Sequence, residues 1–193
     1  MTGTILAGGE NRRIPLLKGH IEINGQRIID SSVNLLKNFF DKVIISTNTP
    51  ELYFYCGAPM IGDVINQRGP MTGILSVLLN TDDDVFVVGC DMPFINEKLI
   101  RSMADKTKGR RWDAVIPLFE GTPQPLFAIY SRNILSVIEE RLNKGLRRLK
   151  DMLTELEVLY IKEQEVREID PEGRAFVNIN TMEDYKKVIS AGV

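Results

Sequence analysis

Short apolar runs recur along the chain and predict the strands of a buried sheet. Several of them show no alternation of polar and apolar residues, as expected for strands that are covered on both faces. The run over residues 85–90 is the clearest, and it ends at Asp91. The predicted strands comprise residues 5–7, 43–47, 60–61, 85–90, 114–118, 126–130 and 176–180.

Between these runs, apolar residues recur every three or four positions and predict amphipathic helices. We expect one helix to be capped near Asp30, another to be capped by Asn96, and the last to begin in a capping-box-like pattern at Thr181–Asp184. Asn24–Gly25 predicts a two-residue hairpin turn before the first helix. The predicted helices comprise residues 30–40, a short turn at 52–53, and residues 71–79, 97–106, 131–143, 146–156 and 181–189.

Alternation of strands with helices predicts an α/β fold with a doubly wound, mostly parallel sheet and helices on both faces. A length of 193 residues suits one domain with a full core. No internal repeat, long linker or low-complexity segment divides the chain. We therefore expect residues 1–193 to form a single domain.

The first predicted strand leads into a loop that is rich in anion-binding groups. Gly8 and Gly9 allow backbone N–H groups to approach a ligand closely, and Arg12, Arg13 and Lys18 bring positive charge for phosphates. The spacing matches neither of the two well-known phosphate-binding glycine signatures. The loop therefore favours a nucleoside triphosphate site, and an ordinary turn with solvated cations is the alternative.

Polar residues follow several predicted strands at the edge where ligands bind in open α/β sheets. Asp91 leaves a fully apolar strand, so a rigid element holds its carboxylate in a way that suits Mg²⁺ bridged to substrate phosphates. The alternative is that Asp91 only caps the turn before Pro93. The other polar residues at strand ends are Ser46, Asn48, Asp63, Asn178 and Asn180, and the turn at Gly69 offers a further contact for a base or a phosphate.

Composition and charge favour a globular protein with a small-molecule ligand. Apolar residues make up 44% and charged residues 26% of the chain. A formal net charge of −2 argues against nucleic acid as the main partner. No apolar stretch reaches the ~20 residues that a membrane span needs, and the first strand follows directly on residues 1–3, so we expect no membrane partner and a cytoplasmic location.

Cysteine and histidine usage argues against several kinds of site. Cys56 and Cys90 form no C-x-x-C pattern, so neither a disulfide framework nor a zinc site is expected. His20 is the only histidine, and a hydrolase triad or a His-rich metal site would depend on it alone. Asp82–Asp84 lacks the spacing of a calcium loop and is interpreted as a solvated loop.

Taken together, the motifs resemble those of the molybdenum cofactor guanylyltransferase family, in order and over nearly the whole chain. The segments that carry the resemblance are L-A-G-G at 6–9, R-R at 12–13, K-G at 18–19, R-G-P-M-T-G-I at 68–74, C-D-M-P-F at 90–94, P-L-F-A-I-Y at 125–130, L-R-R-L at 146–149 and F-V-N-I-N-T at 176–181.

This resemblance implies a Rossmann-like sheet of the nucleotide-diphospho-sugar transferase type, with an antiparallel element near its end. The implied activity is magnesium-dependent transfer of GMP from GTP to molybdopterin-bound molybdenum, which yields the guanine dinucleotide form of the cofactor and pyrophosphate. GTP and the molybdopterin cofactor are then the substrates. Proteins that deliver the cofactor, or chaperones of molybdoenzymes, are the implied protein partners.

The resemblance also assigns roles to individual residues. The implied catalytic residues are Arg13, Lys18 and Asp91. The implied metal ligands are Asp91 and Asn180, with Mg²⁺ as the metal. The implied nucleotide-binding residues are Leu6, Ala7, Gly8, Gly9, Lys18, Ser46, Asp63, Gly69 and Asp91.

The chain departs from the family at two points: the glycine loop, and the end of the second main strand, where many members carry an asparagine and this chain has Ser46, with Asn48 two residues on. Residues 14–17 stand where many members carry a glycine and, just before the lysine, an acidic residue, and Pro15 removes one backbone N–H. Two alternatives therefore stay open. One is a nucleotidyltransferase that uses CTP or acts on another small molecule, and the other is a non-catalytic nucleotide or cofactor carrier.

Overall fold

The structure is a computed structural model, and it describes residues 1–8 and 18–190. The strands are β1 Thr2–Leu6, β2 Glu22–Ile23, β3 Gln26–Arg27, β4 Val43–Ser46, β5 Met60–Ile61, β6 Val85–Gly89, β7 Ala114–Phe119, β8 Thr122–Pro123, β9 Phe127–Tyr130 and β10 Val158–Ile161. The helices are α1 Ile28–Lys37, α2 Pro70–Leu79, α3 Glu97–Lys106, α4 Leu135–Asn143, α5 Leu149–Met152, α6 Glu163–Ile169 and α7 Met182–Ser190.

The central sheet has the order β10-β7-β9-β6-β1-β4-β5, and β8 pairs with β7. The pairs β1–β4, β1–β6, β4–β5 and β7–β10 are parallel, whereas β9 runs antiparallel to both β6 and β7. The predicted mostly parallel sheet is confirmed. Because β4 and β6 flank β1 on opposite sides, the strand order reverses at β1, which is where such sheets bind ligands.

Helices cover both faces of the sheet, as predicted. In β6, Phe86 and Val88 pack on one face with α1, α3 and α6, while Val85 and Val87 pack on the other with α2, α4 and α5. All four of these side chains are fully buried. Burial on both faces explains why the strand reads as an unbroken apolar run in the sequence.

The hairpin and two of the three predicted helix caps follow the sequence closely. Asn24 and Gly25 have positive φ angles of 52° and 76° and join β2 to β3. The Asn96 side chain accepts a hydrogen bond from the Leu99 N–H, and α3 spans the predicted residues. Thr181 and Asp184 form the predicted reciprocal pair at the start of α7. Local capping chemistry was therefore predictable from local sequence.

The first helix begins earlier than predicted. α1 begins at Ile28 rather than near Asp30, and its N-cap, Arg27, makes no side-chain capping bond. Ile28 and Ile29 are almost fully buried. Because these two residues are buried in the first turn of α1, the strand after the hairpin ends at Arg27.

The predicted strand over residues 176–180 is wrong. Arg174–Phe176 forms a 3-10 turn, and residues 177–180 pair with no strand in the described part of the chain. Instead, the Ile179 N–H donates to the Asp91 carbonyl at 2.9 Å, and its side chain packs with Ile21 and Val188. The apolar residues of this segment fill a small cluster rather than a sheet.

Residues 146–175 also differ from the prediction. The helix expected over 146–156 is reduced to α5 and a 3-10 turn at Leu153–Glu155, while β10 and α6 were not predicted.

The helix expected from Ser131 begins as a 3-10 turn at Arg132–Ile134 and continues as α4. Among the described residues, no helix is both long and apolar enough to cross a membrane.

Candidate active site

Four parallel strands end level with one another at one edge of the sheet. Leu6, the last residue of β1, lies opposite Ser46 of β4 and Gly89 of β6, and Ser46 lies opposite Ile61 of β5. Each of these four residues is the last of its strand. The positions two residues further along therefore form one row: Gly8, Asn48, Asp63 and Asp91.

A cluster of three polar side chains lies at the centre of this edge. Lys18 Nζ donates to Asp91 Oδ2 at 2.8 Å and to Asn180 Oδ1 at 2.5 Å. These residues come from three distant segments: the turn before the hairpin, the end of β6, and the segment that precedes α7. The structure thus brings together three of the predicted site residues.

The backbone of Lys18 is held by the short 3-10 turn Lys18–His20. Gly19 is buried, and a Cβ at this position would lie 3.2 Å from Tyr53 Cε1. His20 Nε2 lies 3.0 Å from the Leu52 carbonyl oxygen, so Nε2 carries the proton in this contact. The His20 ring packs edge-on against Tyr53. Sequence reasoning gave His20 no role, and only its place beside Lys18 could have suggested one.

Asp91 and Asn180 are held by contacts with their neighbours. The Asp91 backbone accepts the Ile179 N–H at 2.9 Å, which fixes the two segments against each other. A Cβ at Gly89 would lie 2.6 Å from Asp91 Oδ1, so the absence of a side chain at this position leaves space for the carboxylate. The Asn180 N–H donates to Asp184 Oδ2 at 3.0 Å.

Asn48 and Asp63 form a second polar pair along the same edge. Asn48 Nδ2 donates to Asp63 Oδ2 at 2.6 Å, and the Asp63 N–H donates back to Asn48 Oδ1 at 2.7 Å. These two bonds fix the orientation of the carboxylate while leaving it further acceptor capacity. Asn48 is absent from the predicted nucleotide contacts, although its position two residues past a strand could have identified it.

The N-terminus of α2 lies beside the ends of β1 and β4. Gly69 occupies the N-cap position with a φ of 140° and no side-chain cap, and Pro70 begins the helix. A Cβ at Gly73 would lie 2.8 Å from Ser46 Oγ and 3.0 Å from Leu6 Cδ2, so glycine lets the helix pack closely on the strands. Ser46 is 3% exposed, and its hydroxyl lies beneath α2.

The predicted residues of the glycine loop differ in their exposure. Leu6 and Ala7 are buried; the Leu6 carbonyl accepts the Cys90 N–H, and the Ala7 N–H donates to the Ser46 carbonyl. Gly8 is exposed, and no described atom lies within 4 Å of the position that a Cβ would take. Gly8 therefore has the open backbone that a ligand needs.

The remaining residues that the sequence singled out fall into two groups. Gly9 and Arg13 lie outside the described residues, as does Pro15. Asn178 turns its side chain to the Phe176 carbonyl, 2.8 Å away, and takes no part in the cluster around Lys18.

The oxygens of Asp91 and Asn180 fit one side of a site for a hard divalent cation. Both converge on a single ammonium group, and carboxylate and amide oxygens are the ligands that such cations prefer. Within residues 1–8 and 18–190, no group of three or more His, Cys, Asp or Glu side chains could hold a metal. Two protein oxygens suit a cation whose remaining ligands are phosphates and water.

Cys90 stands next to Asp91 but does not contribute a nucleophile. Burial raises the pKa of its thiol to about 12, and the neighbouring Asp91 carboxylate acts in the same direction. The thiol is therefore protonated near neutral pH, which makes it a poor nucleophile. Its role is to pack beneath the site.

Comparison with known proteins places this site in a family. The profile described as "MobA-like NTP transferase domain" matches residues 3–158, which is most of the chain. The chain belongs to this family. Members of the MobA-like NTP transferase family are nucleotidyltransferases, which generally use a divalent metal.

Relatives of known name cover almost the whole chain. A probable molybdenum cofactor guanylyltransferase of Peptoclostridium acidaminophilum is 36% identical over 189 residues, which cover 95% of this chain and 86% of the relative. The molybdenum cofactor guanylyltransferase of Syntrophotalea carbinolica is 34% identical over 187 residues, covering 96% and 89% of the two chains.

A solved structure of the MobA-like family has the same fold. Molybdopterin-guanine dinucleotide biosynthesis protein A from Archaeoglobus fulgidus superposes with a TM-score of 0.86 at 26% identity, covering 99% of this chain and 98% of that one. The predicted nucleotidyltransferase fold is thereby confirmed.

Proposed function

We propose that this protein transfers GMP from GTP to the molybdenum–molybdopterin cofactor, forming the guanine dinucleotide cofactor and releasing pyrophosphate. The observation that carries the proposal is the convergence of Lys18, Asp91 and Asn180 at the reversal point of the sheet. The named relatives, which align over nearly the full chain, support the choice of substrates.

The phosphate end of the nucleotide lies at the Lys18 cluster. Lys18 provides a flexible cation for the β- and γ-phosphates, and Arg13 adds a second charge from the glycine loop. Asp91 and Asn180 would hold Mg²⁺, which would supply Lewis-acid charge to the phosphate oxygens. The exposed backbone of Gly8 and the N-terminus of α2 at Gly69 offer further N–H donors for anionic oxygens.

The guanine base lies at the Asn48–Asp63 pair. The oriented Asp63 carboxylate can accept hydrogen bonds from the N1–H and the exocyclic amine of guanine, which adenine does not present in this arrangement. Leu6 and Ala7 form the floor of the nucleotide site, and buried Ser46 supports α2 beneath it. Guanine selection thus depends on a side chain that Asn48 positions.

Transfer proceeds by attack of the molybdopterin phosphate on the α-phosphorus of GTP. The bond from that phosphorus to the bridging oxygen breaks, and pyrophosphate leaves. Negative charge grows on the leaving group, so Lys18 and Arg13 stabilise the transition state more than the ground state. The attacking phosphate is already ionised near neutral pH, so no general base is needed.

The proposed site draws on the whole chain. Asn180 lies beyond residues 3–158, the part that matches the family profile, yet its amide oxygen meets Lys18. We therefore take residues 1–193 as a single nucleotidyltransferase domain. A cytoplasmic location and exchange of the cofactor with delivery proteins or molybdoenzyme chaperones belong to the same proposal.

The decisive experiment measures pyrophosphate release from GTP in the presence of the molybdenum–molybdopterin cofactor and Mg²⁺. We expect release with GTP and little with CTP, ATP or UTP. A thermal-shift series with the same four nucleotides reports binding separately, since ligands that bind the native state raise the melting temperature. Stabilisation mainly by CTP would overturn the guanine assignment, and GTP binding without pyrophosphate release would indicate a carrier.

A further inference from the structure

The ammonium group of Lys18 lies between the two oxygens that the proposed function assigns to the metal. Its contacts measure 2.8 Å to Asp91 Oδ2 and 2.5 Å to Asn180 Oδ1. The Lys18 side chain is 25% exposed and that of Asp91 is 15% exposed, so the contact is partly shielded from water. Lys18 therefore holds both oxygens as one bound cation would.

A divalent cation needs the same lone pairs that Lys18 uses. An ammonium and a metal ion cannot both occupy the space between these oxygens, and two positive groups a few ångströms apart repel each other. Asp91 carries one negative charge, which Lys18 already neutralises. A free divalent cation that approaches this pair must displace Lys18 without gaining a new anion in return.

We propose that Lys18 is an internal competitor for the metal, so that the site admits the divalent cation only together with the triphosphate. This inference rests on the proposed function for the assignment of Asp91 and Asn180 as metal ligands. The triphosphate brings anionic oxygens to which Lys18 moves, and it also brings ligands for the metal. The substrate of the enzyme is then the metal–nucleotide complex, and free metal binds weakly.

The local structure suits a movement of the Lys18 side chain alone. Its backbone lies in a turn anchored by buried Gly19 and by the His20–Leu52 contact, whereas the lysine stem has four flexible carbons. Asn180 is likewise fixed through its backbone N–H by Asp184. The oxygens stay in place when the ammonium leaves, so the metal site is ready once Lys18 has moved.

The test compares Mn²⁺ binding to nucleotide-free wild type and to Lys18→Met by electron paramagnetic resonance of free Mn²⁺. Methionine has an unbranched side chain that is one atom shorter than that of lysine, and it carries no charge. We expect Lys18→Met to bind Mn²⁺ about tenfold more tightly than wild type, a typical size for coupling between sites. Lys18→Arg, which keeps the charge, should bind Mn²⁺ no more tightly than wild type.

Lys37→Met is the matched control, because Lys37 bonds the Gly57 carbonyl at 3.0 Å on the outside of α1 and should leave Mn²⁺ affinity unchanged. Adding Asp91→Asn to Lys18→Met should abolish the gain. Equal Mn²⁺ affinity in Lys18→Met and wild type, or a gain that survives Asp91→Asn, would overturn the proposal. If circular dichroism shows that Lys18→Met is unfolded, Mn²⁺ binding is measured on Lys18→Gln instead.

The Mn²⁺ measurement uses neither nucleotide nor acceptor, so it can fail independently of the proposed function. Tighter Mn²⁺ binding by Lys18→Met together with no pyrophosphate release by wild type would keep the competition and reject guanylyl transfer. Pyrophosphate release by wild type together with unchanged Mn²⁺ affinity in Lys18→Met would reject the competition and support guanylyl transfer.

Discussion

The two ends of β1 and β6 carry acidic residues with different roles. At the amino end, Asp82–Asp84 forms the most acidic run of the chain. There, Thr2 Oγ1 donates to Asp83 Oδ2 at 3.2 Å, and Asp84 Oδ1 accepts the Arg132 N–H at 3.0 Å. At the carboxyl end, the isolated Asp91 meets a lysine side chain.

The difference lies in the partners. At the amino end, the buried Thr2 hydroxyl bonds Asp83 and the Arg132 N–H bonds Asp84, which ties this loop to the sheet. The cations at this end form longer ion pairs, 3.6 Å from the N-terminal ammonium to Asp83 and 3.9 Å from the Arg132 guanidinium to Asp82. At the carboxyl end, Lys18 is long and flexible and can exchange its bonds for those of a ligand. The number of acidic residues in a segment therefore does not identify the site, whereas the group that bonds each carboxylate does.

The strongest test of this comparison exchanges one carboxylate at each end. Asp91→Asn is expected to lower kcat for pyrophosphate release about a thousandfold, because it removes the charge that we propose holds the metal. Asp84→Asn should keep kcat within about twofold of wild type. Similar losses of kcat in the two variants would mean that Asp91 has no catalytic role that Asp84 lacks.

Gly89→Ala perturbs the orientation of the Asp91 carboxylate without removing it. The added Cβ would lie 2.6 Å from Asp91 Oδ1, and this side chain can rotate away. We expect a loss of kcat of about tenfold to a hundredfold, with a change in unfolding free energy of less than about 1 kcal/mol. Full activity in a folded Gly89→Ala protein would contradict the need for this orientation.

Asp84→Ala should reveal the structural role of the amino end. Loss of the bond to the Arg132 N–H is expected to lower the free energy of unfolding by about 1 kcal/mol, measured by urea denaturation. The KM for GTP should not change. A raised KM with unchanged stability would place Asp84 in the site and remove the contrast between the two ends.

His20→Leu tests whether the turn that carries Lys18 must be anchored. Leucine cannot bond the Leu52 carbonyl, so we expect KM for GTP to rise by about threefold to tenfold, with kcat less affected. His20→Gln can donate from Nε2 and should recover part of the loss. If glutamine and leucine behave alike, the hydrogen bond does not position Lys18.

The smallest effect concerns the Cys90 thiol, which packs beneath the site. Because its pKa is raised to about 12, the thiol stays protonated at pH 8, and its reactivity should rise only as the pH approaches that value. A thiol-specific chromogenic reagent should therefore leave Cys90 unmodified in the native protein and react with it after unfolding in urea. Rapid native modification in a Cys56→Ser background would show that Cys90 is accessible.

Much of the fold was predictable because burial acts on each segment directly. The apolar runs at β1, β4, β5 and β6 predicted the strands, and the polar residues that follow β5 and β6 identified Asp63 and Asp91 as candidates. The Asn96 cap and the Thr181–Asp184 pair were equally local. Each of these features depends on residues close in sequence, so composition and spacing were enough.

Only the tertiary structure decided which of the candidates meet. Lys18 and Asn180 are 162 positions apart, and their contact depends on the strand order around β1. The Ile179 N–H bonds the Asp91 carbonyl, and residues 177–180 stay out of the sheet although their sequence predicted a strand. The sequence by itself determined the elements and the chemistry at their ends. Strand order and register, which depend on all the elements packing at once, determined which of those ends form one site.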